Sequence, residues 1–230
     1  MNQPSLELLE MVSGDAAAMP AASIIVLHGL GADGNDFVPI AGELDLDRIG
    51  PVRFVFPSAP VRPVTINGGY VMRAWYDIHP PNANPAAPRQ EDEAGLRASQ
   101  NLVQALLDRE AARGVPSRKT VLMGFSQGCA MTLMAGLRAP QRLAGLAGLS
   151  GYLPLADTLG AERSGANRDV PIFLAHGAHD PVVTIDRAVA SRNVLQTLGY
   201  GVEWHSYPME HTVSLPEIQD INAWLLKVLA

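Results

Sequence analysis

The sequence predicts an α/β fold built on a mostly parallel central sheet with helices on both faces. Three observations predict it. Short apolar runs, several rich in β-branched residues, recur along the chain, and amphipathic helical stripes alternate with them. Glycine- or histidine-bearing turns follow several of those runs. In such sheets ligands gather at the carboxyl ends of the strands, so residues distant in sequence can meet at one edge.

Residues 1–22 are loosely determined: residues 6–12 have the pattern of an edge strand, and the Ala, Gly and Pro after them read as loop. Ile24-Ile-Val-Leu27 is suited to a strand buried on both faces, and it ends in His28-Gly-Leu-Gly-Ala-Asp-Gly34, a loop whose backbone can approach another group closely. Asn35 or Asp36 can cap a short helix to about Leu44, and residues 52–56 form the next strand, stopped by Pro57. Residues 58–89 make a long proline-rich connection. Such loops are often functional, but a surface hairpin with its aromatic side chains on the core is an equal reading. A helix over residues 91–113 follows, with Leu96, Val103, Leu106 and Leu107 near one face, an acidic start suited to the helix dipole, and Gly114 as its stop. Residues 120–124, 143–149, 170–175 and 202–207 repeat the strand pattern. Residues 127–137 and 184–198 are helical, and Ser214-Leu-Pro-Glu217 has capping-box spacing before the terminal helical stripe of Ile218, Ile221, Leu225 and Val228.

At 230 residues and 47% hydrophobic, the chain suits one sizeable core, so residues 1–230 are expected to form a single domain. A net charge of −6 without a basic run gives no footprint for nucleic acid or an anionic membrane surface. A single cysteine, Cys129, excludes an intrachain disulfide and a multi-cysteine zinc site, and is compatible with a cytoplasmic location. The amino terminus has no basic segment ahead of an apolar one, and no run approaches the roughly 20 apolar residues that span a bilayer. A soluble protein without integral membrane contact is expected.

One strand end carries chemistry. Val121-Leu-Met-Gly-Phe-Ser-Gln-Gly128 stops at G-x-S-x-G, the pattern of a buried strand turning sharply into a helix with Ser126 at the apex. With 21 glycines in the chain the motif alone is weak evidence. A serine hydroxyl needs a base and a group to orient that base. His211, in a short loop after the last strand, stands where the order Ser, acid, His places the base. His28 is better suited to holding its glycine loop. His79 lies beside two prolines, His205 is inside a strand, and His176 and His179 flank the candidate acid. That acid is Asp180, at a strand end; Asp157 and Asp169 read as solvated loop charges and Asp186 as a first-turn helix residue. The oxyanion of an acyl transfer needs two backbone donors, expected at Gln127 and Leu30. A metal cluster of His176, His179, Asp180 and His211 matches no familiar ligand spacing, and a non-catalytic binding protein would lack a triad member. No cofactor is expected.

Leu27-His-Gly-Leu-Gly-Ala-Asp-Gly-Asn-Asp-Phe37, Trp75-Tyr-Asp-Ile78, Gly124-Phe-Ser-Gln-Gly128, His176-Gly with Asp180-Pro-Val-Val183, and Met209-Glu-His211 together resemble the small carboxylesterases related to acyl-protein thioesterases and lysophospholipases. The resemblance implies an α/β-hydrolase fold, a Ser126–Asp180–His211 triad, and Leu30 and Gln127 at the oxyanion hole. It also implies that Met72, Trp75 and Val182 help form an acyl-binding groove, and that acylated small molecules, proteins or lipids are the substrates. Members can dimerise, so a homodimer is a further expectation. Only about 20 residues separate Ser150 from Val170, which leaves no room for a large cap domain. Two departures stand out: Cys129 where the family usually has Gly, and Tyr76 where it has Phe. A small buried thiol is the expectation for Cys129.

Overall fold

Most of the apolar runs pair into a seven-stranded sheet in the computed structural model, which describes residues 6–14, 18–80 and 90–230. The strands in chain order are β1 (Glu7–Ser13), β2 (Ala22–Leu27), β3 (Val52–Ser58), β4 (Val61–Val64), β5 (Tyr70–Arg73), β6 (Thr120–Phe125), β7 (Gly145–Leu149), β8 (Ile172–Gly177) and β9 (Val202–Tyr207). The helices are α1 (Val38–Gly42), α2 (Glu93–Ala112), α3 (Gln127–Gly136), α4 (Ala156–Glu162), α5 (Ile185–Thr197) and α6 (Leu215–Val228). The order across the sheet is β1-β3-β2-β6-β7-β8-β9, parallel throughout except for the antiparallel edge pair β1–β3.

Period-two side chains explain why the runs are apolar at every position. Along β2, Ile25 and Leu27 join the core beneath α2 and α3, while Ile24 and Val26 join the core beneath α1 and α6. Each fully buried aliphatic side chain contributes about 1.5–3 kcal/mol, so two-sided burial makes the central strands the most firmly specified part of the chain. Helix α3 is buried along its whole length, and α6 is held at its start by the capping box of Ser214 and Glu217.

Several elements differ from expectation for local reasons. The first helix begins at Val38, since the Asp33 carboxylate accepts the Asn35 N–H at 2.8 Å and closes a turn ahead of it; neither Asn35 nor Asp36 is the cap. Strand β3 runs through Pro57, which lies beyond the last β2–β3 pair and has only β1 beside it. Helix α2 starts at Glu93, capped by the Asp92 carboxylate accepting the Gly95 N–H at 2.9 Å. Glu91 lies outside it, and its carboxylate accepts the Leu155 N–H. Helix α4, with only Leu159 buried, has too short an apolar face to show in the sequence. The described part of the long connection, residues 58–80, folds as the β4–β5 hairpin with Trp75 and Tyr76 buried just beyond it, and residues 81–89 lie outside the described residues. The hairpin is tied to the glycine loop after β2 by the Gly31 N–H donating to Arg73 O at 2.9 Å.

Candidate active site

The turn from β6 to α3 holds Ser126 at φ 55°, ψ −115°, a region that costs of order 1–3 kcal/mol for a residue with a β-carbon. Its neighbours keep it there. The Ser126 N–H donates to Leu149 O at 2.8 Å. A β-carbon on Gly124 would overlap the Gly128 carbonyl, and one on Gly128 would overlap that of Leu27, so the tight turn against β2 requires both glycines. Ser126 is thereby left partly exposed at the carboxyl edge of the sheet.

Asp180 and His211 reach that edge from β8 and β9. These strands are parallel neighbours, and their trailing loops are fastened by Ala178 N–H to Tyr207 O at 2.8 Å and His179 N–H to Met209 O at 3.0 Å. Gly177 permits this, since a β-carbon there would collide with the Glu210 and Met209 carbonyls. His211 Nδ1 then lies 2.7 Å from Asp180 Oδ2, and His211 Nε2 lies 2.9 Å from Ser126 Oγ. Asp180 Oδ1 accepts the N–H groups of Val182 and Val183 at 2.8 and 2.9 Å. A carboxylate so placed accepts from Nδ1–H, which leaves Nε2 as the acceptor facing the serine hydroxyl. Phe125 packs on the imidazole with ring centroids 4.7 Å apart. The arrangement can deprotonate Ser126 as it attacks a carbonyl carbon.

Two backbone donors face no acceptor among the described residues. In the loop after β2, Gly31 donates to Arg73 O and Ala32 to Gly29 O, whereas Leu30 N–H has no partner among the described residues. Gln127 N–H, at the first position of α3, also has none among them.

The remaining residues named from the sequence lie as follows. Met72 is half-buried, and a β-carbon on Gly31 would sit 3.6 Å from its sulfur. Val182 is 67% exposed beside Asp180. Trp75 is fully buried and lines no open surface; its indole N–H donates to His28 O at 3.0 Å, so it supports the glycine loop from within. His28 accepts the Ala59 N–H at Nε2, and burial holds its imidazole below the usual range and therefore neutral. His176 is likewise buried and held below its usual range, with Nε2 2.7 Å from Val183 O and 3.3 Å from Asp180 Oδ2. His79 lies 3.9 Å from the Asp77 carboxylate, and His205 stacks between Phe173 and Tyr207. Burial pushes the Cys129 thiol up to about 12, so it is packing rather than a nucleophile. Tyr76 is buried with its hydroxyl 2.8 Å from that of Tyr152, over which the Arg187 guanidinium lies at 3.3 Å; no periodicity in the sequence signals this cluster. Among the described residues no group of three His, Cys, Asp or Glu side chains could hold a metal ion. An open cavity of about 730 Å³ lies at the opposite strand ends between Arg118, Arg142, Trp224 and Lys227, and neither Ser126, Asp180 nor His211 lines it.

The sequence profile of the phospholipase/carboxylesterase family matches residues 9–229. Acyl-protein thioesterase 1 of Yarrowia lipolytica is 39% identical over 215 residues, 91% of this chain and 93% of that protein. A probable carboxylesterase of Oryza sativa subsp. japonica is 36% identical over 91% of this chain and 79% of its own length. Among solved structures, Arabidopsis thaliana SOBER1 superposes with a TM-score of 0.83 at 31% identity, covering 91% of this chain and 99% of that one.

Proposed function

The chain belongs to the phospholipase/carboxylesterase family of α/β hydrolases, and on that premise we propose that it hydrolyses short- to medium-chain acyl esters or thioesters through an acyl-enzyme on Ser126. The observation that carries this reading is the pair of distances at His211, 2.9 Å to Ser126 Oγ and 2.7 Å to Asp180 Oδ2. Ser126 Oγ attacks the acyl carbon while His211 Nε2 takes its proton. The carbonyl oxygen, now an oxyanion, accepts from the Leu30 and Gln127 N–H groups, a contribution of several kcal/mol to barrier lowering. Collapse expels the alkoxide or thiolate, which receives the proton from His211. Water, deprotonated by the same imidazole, releases the acid and restores Ser126. Asp180 keeps His211 in the tautomer that this requires.

A fluorophosphonate is expected to form a covalent adduct on Ser126, and Ser126→Ala is expected to abolish ester hydrolysis with an unchanged thermal midpoint. An unlabelled Ser126, or turnover within tenfold of the parent in the variant, overturns the reading.

Substrate class follows from chemistry shared by relatives: the Yarrowia protein bears the name of an acyl-protein thioesterase and the rice protein that of a carboxylesterase. Oxyesters, lysophospholipids and acyl-cysteines all fit the same steps. The absence of a large insertion after β7 supports an open groove, with Met72, Val182 and Leu30 at its walls. Rates on p-nitrophenyl esters of increasing chain length, set against a palmitoylated peptide, rank these classes. The β4–β5 hairpin exposes Val61, Ile66, Tyr70 and Val71 beside that groove and is the surface on which a homodimer would form; sedimentation velocity measures it.

A further inference from the structure

The two N–H groups assigned above to the oxyanion come from distant parts of the chain, and one buried set of side chains joins them. Gln127 is 2% exposed, and both ends of its amide are used: Oε1 accepts the Trp75 N–H at 2.7 Å and Nε2 donates to Tyr76 O at 2.7 Å. Those bonds hold the Trp75–Tyr76 backbone against the first turn of α3. The Ser99 hydroxyl adds a third bond, to Trp75 O. Trp75 has no exposed surface, and its indole N–H reaches across to His28 O at 3.0 Å.

His28 completes the connection. Because its Nε2 accepts the Ala59 N–H at 2.9 Å, the neutral ring carries its proton on Nδ1, which donates to Gly29 O at 2.6 Å. The carbonyl of Gly29 and the N–H of Leu30 belong to one planar peptide, so a donor on that oxygen sets the direction of the Leu30 N–H and polarises it. The carbonyl of His28, one peptide earlier, is set by the Trp75 indole.

We propose that Trp75, clamped by the Gln127 side chain, is a positioning residue of the oxyanion site: it fixes the His28–Gly29 peptide and so couples the direction of the Leu30 N–H to the helix turn that supplies the Gln127 N–H. The inference rests on the acyl-enzyme reading above and assigns Trp75 a role other than contact with the acyl chain. A residue of the groove would act on ground-state binding; a residue that aims the donors acts where the oxyanion forms.

The test is Trp75→Phe, together with replacement of Trp75 by 3-benzothienylalanine, which retains the bicyclic shape and exchanges the N–H for sulfur. In both, kcat for a p-nitrophenyl ester is expected to fall about 10- to 100-fold with KM within about twofold. The affinity for a trifluoromethyl ketone, which binds as a tetrahedral oxyanion, is expected to fall in proportion to kcat/KM. Unchanged kcat and ketone affinity per titrated active site, with only a lower thermal midpoint, would make Trp75 a packing residue and overturn the proposal. A rise in KM that grows with acyl-chain length at constant kcat would return it to the groove and overturn the proposal equally. Failure of the acyl-enzyme reading is seen separately, as activity surviving in Ser126→Ala.

Discussion

Two carboxylates, Glu110 and Asp180, are buried at opposite ends of the same sheet, each with a side chain that is 0% exposed. At the amino-terminal ends of the strands, Glu110 Oε2 accepts from Ser23 Oγ on β2 and from Arg53 Nη1 on β3, both at 2.9 Å. Its Oε1 faces Arg113 at 3.0 Å and Arg109 at 3.3 Å, and those two arginines also hold Glu10 of the edge strand. At the carboxyl ends, Asp180 meets two backbone N–H groups and the imidazoles of His211 and, at 3.3 Å, His176. Guanidinium does not lose its proton in proteins, so the first arrangement is permanent and joins β1, β2, β3 and α2. Imidazole can both accept and release a proton, so the second can take part in a reaction. Burial is common to both; the partner's chemistry separates a fastening from an active group.

The comparison can be broken by exchanging charge for its neutral isostere at each end. Asp180→Asn is expected to lower ester hydrolysis by about 10³- to 10⁴-fold with little change in thermal midpoint, since the amide favours the wrong His211 tautomer. A loss under tenfold would remove Asp180 from the proposed mechanism. Glu110→Gln is expected to do the reverse. It leaves Arg53 buried without its counter-charge, costing about 3–5 kcal/mol and lowering the midpoint by about 10 °C, while kcat of the folded fraction changes less than twofold. An unchanged melt would mean that the network contributes nothing.

A third buried carboxylate sharpens the contrast. Glu217 accepts the Ser214 N–H with Oε2, but among the described residues Oε1 has no partner and no cation pairs with the carboxylate; burial raises it from 4.5 to about 7. An acid whose folded value is raised contributes stability below about pH 4.5 that is lost as pH climbs through about 7. Glu217→Gln cannot ionise, so its midpoint relative to the parent is expected to rise between pH 5 and pH 8. The gain approaches about 3 kcal/mol at most. A pH-independent difference would show that Glu217 is already ionised at pH 5. The smallest effect is expected at Cys129: with its thiol pushed up to about 12, native protein at pH 8 should leave Ellman's reagent unreacted until guanidinium exposes the residue. Rapid reaction without denaturant would place the thiol at the surface.

Ser126, Asp180 and His211 were legible because each stands where a buried apolar run gives way to a turn, and a parallel sheet brings such ends to one edge. Glu110 was hidden by its chemistry. It lies on the helical continuation of Val103, Leu106 and Leu107, but a carboxylate there reads as a solvated end unless its partners on β2 and β3 are known. Trp75 illustrates the converse: the resemblance implied a groove wall while the loop's own pattern equally allowed an aromatic packed on the core, and its partners are Gln127 and the His28 carbonyl.

The sequence by itself determined the buried strands, the strained turn at Ser126 and the order along the chain of Ser126, Asp180 and His211, the proposed nucleophile, acid and base. These depend on periodicity and on steric needs within a few residues, which local composition records. Only the tertiary structure decided which polar groups meet: Gln127 with Trp75, His211 with Asp180, Glu110 with Arg53. Those pairings span dozens of residues and depend on sheet register and on whether water is excluded, and neither is written in the neighbourhood of any one residue.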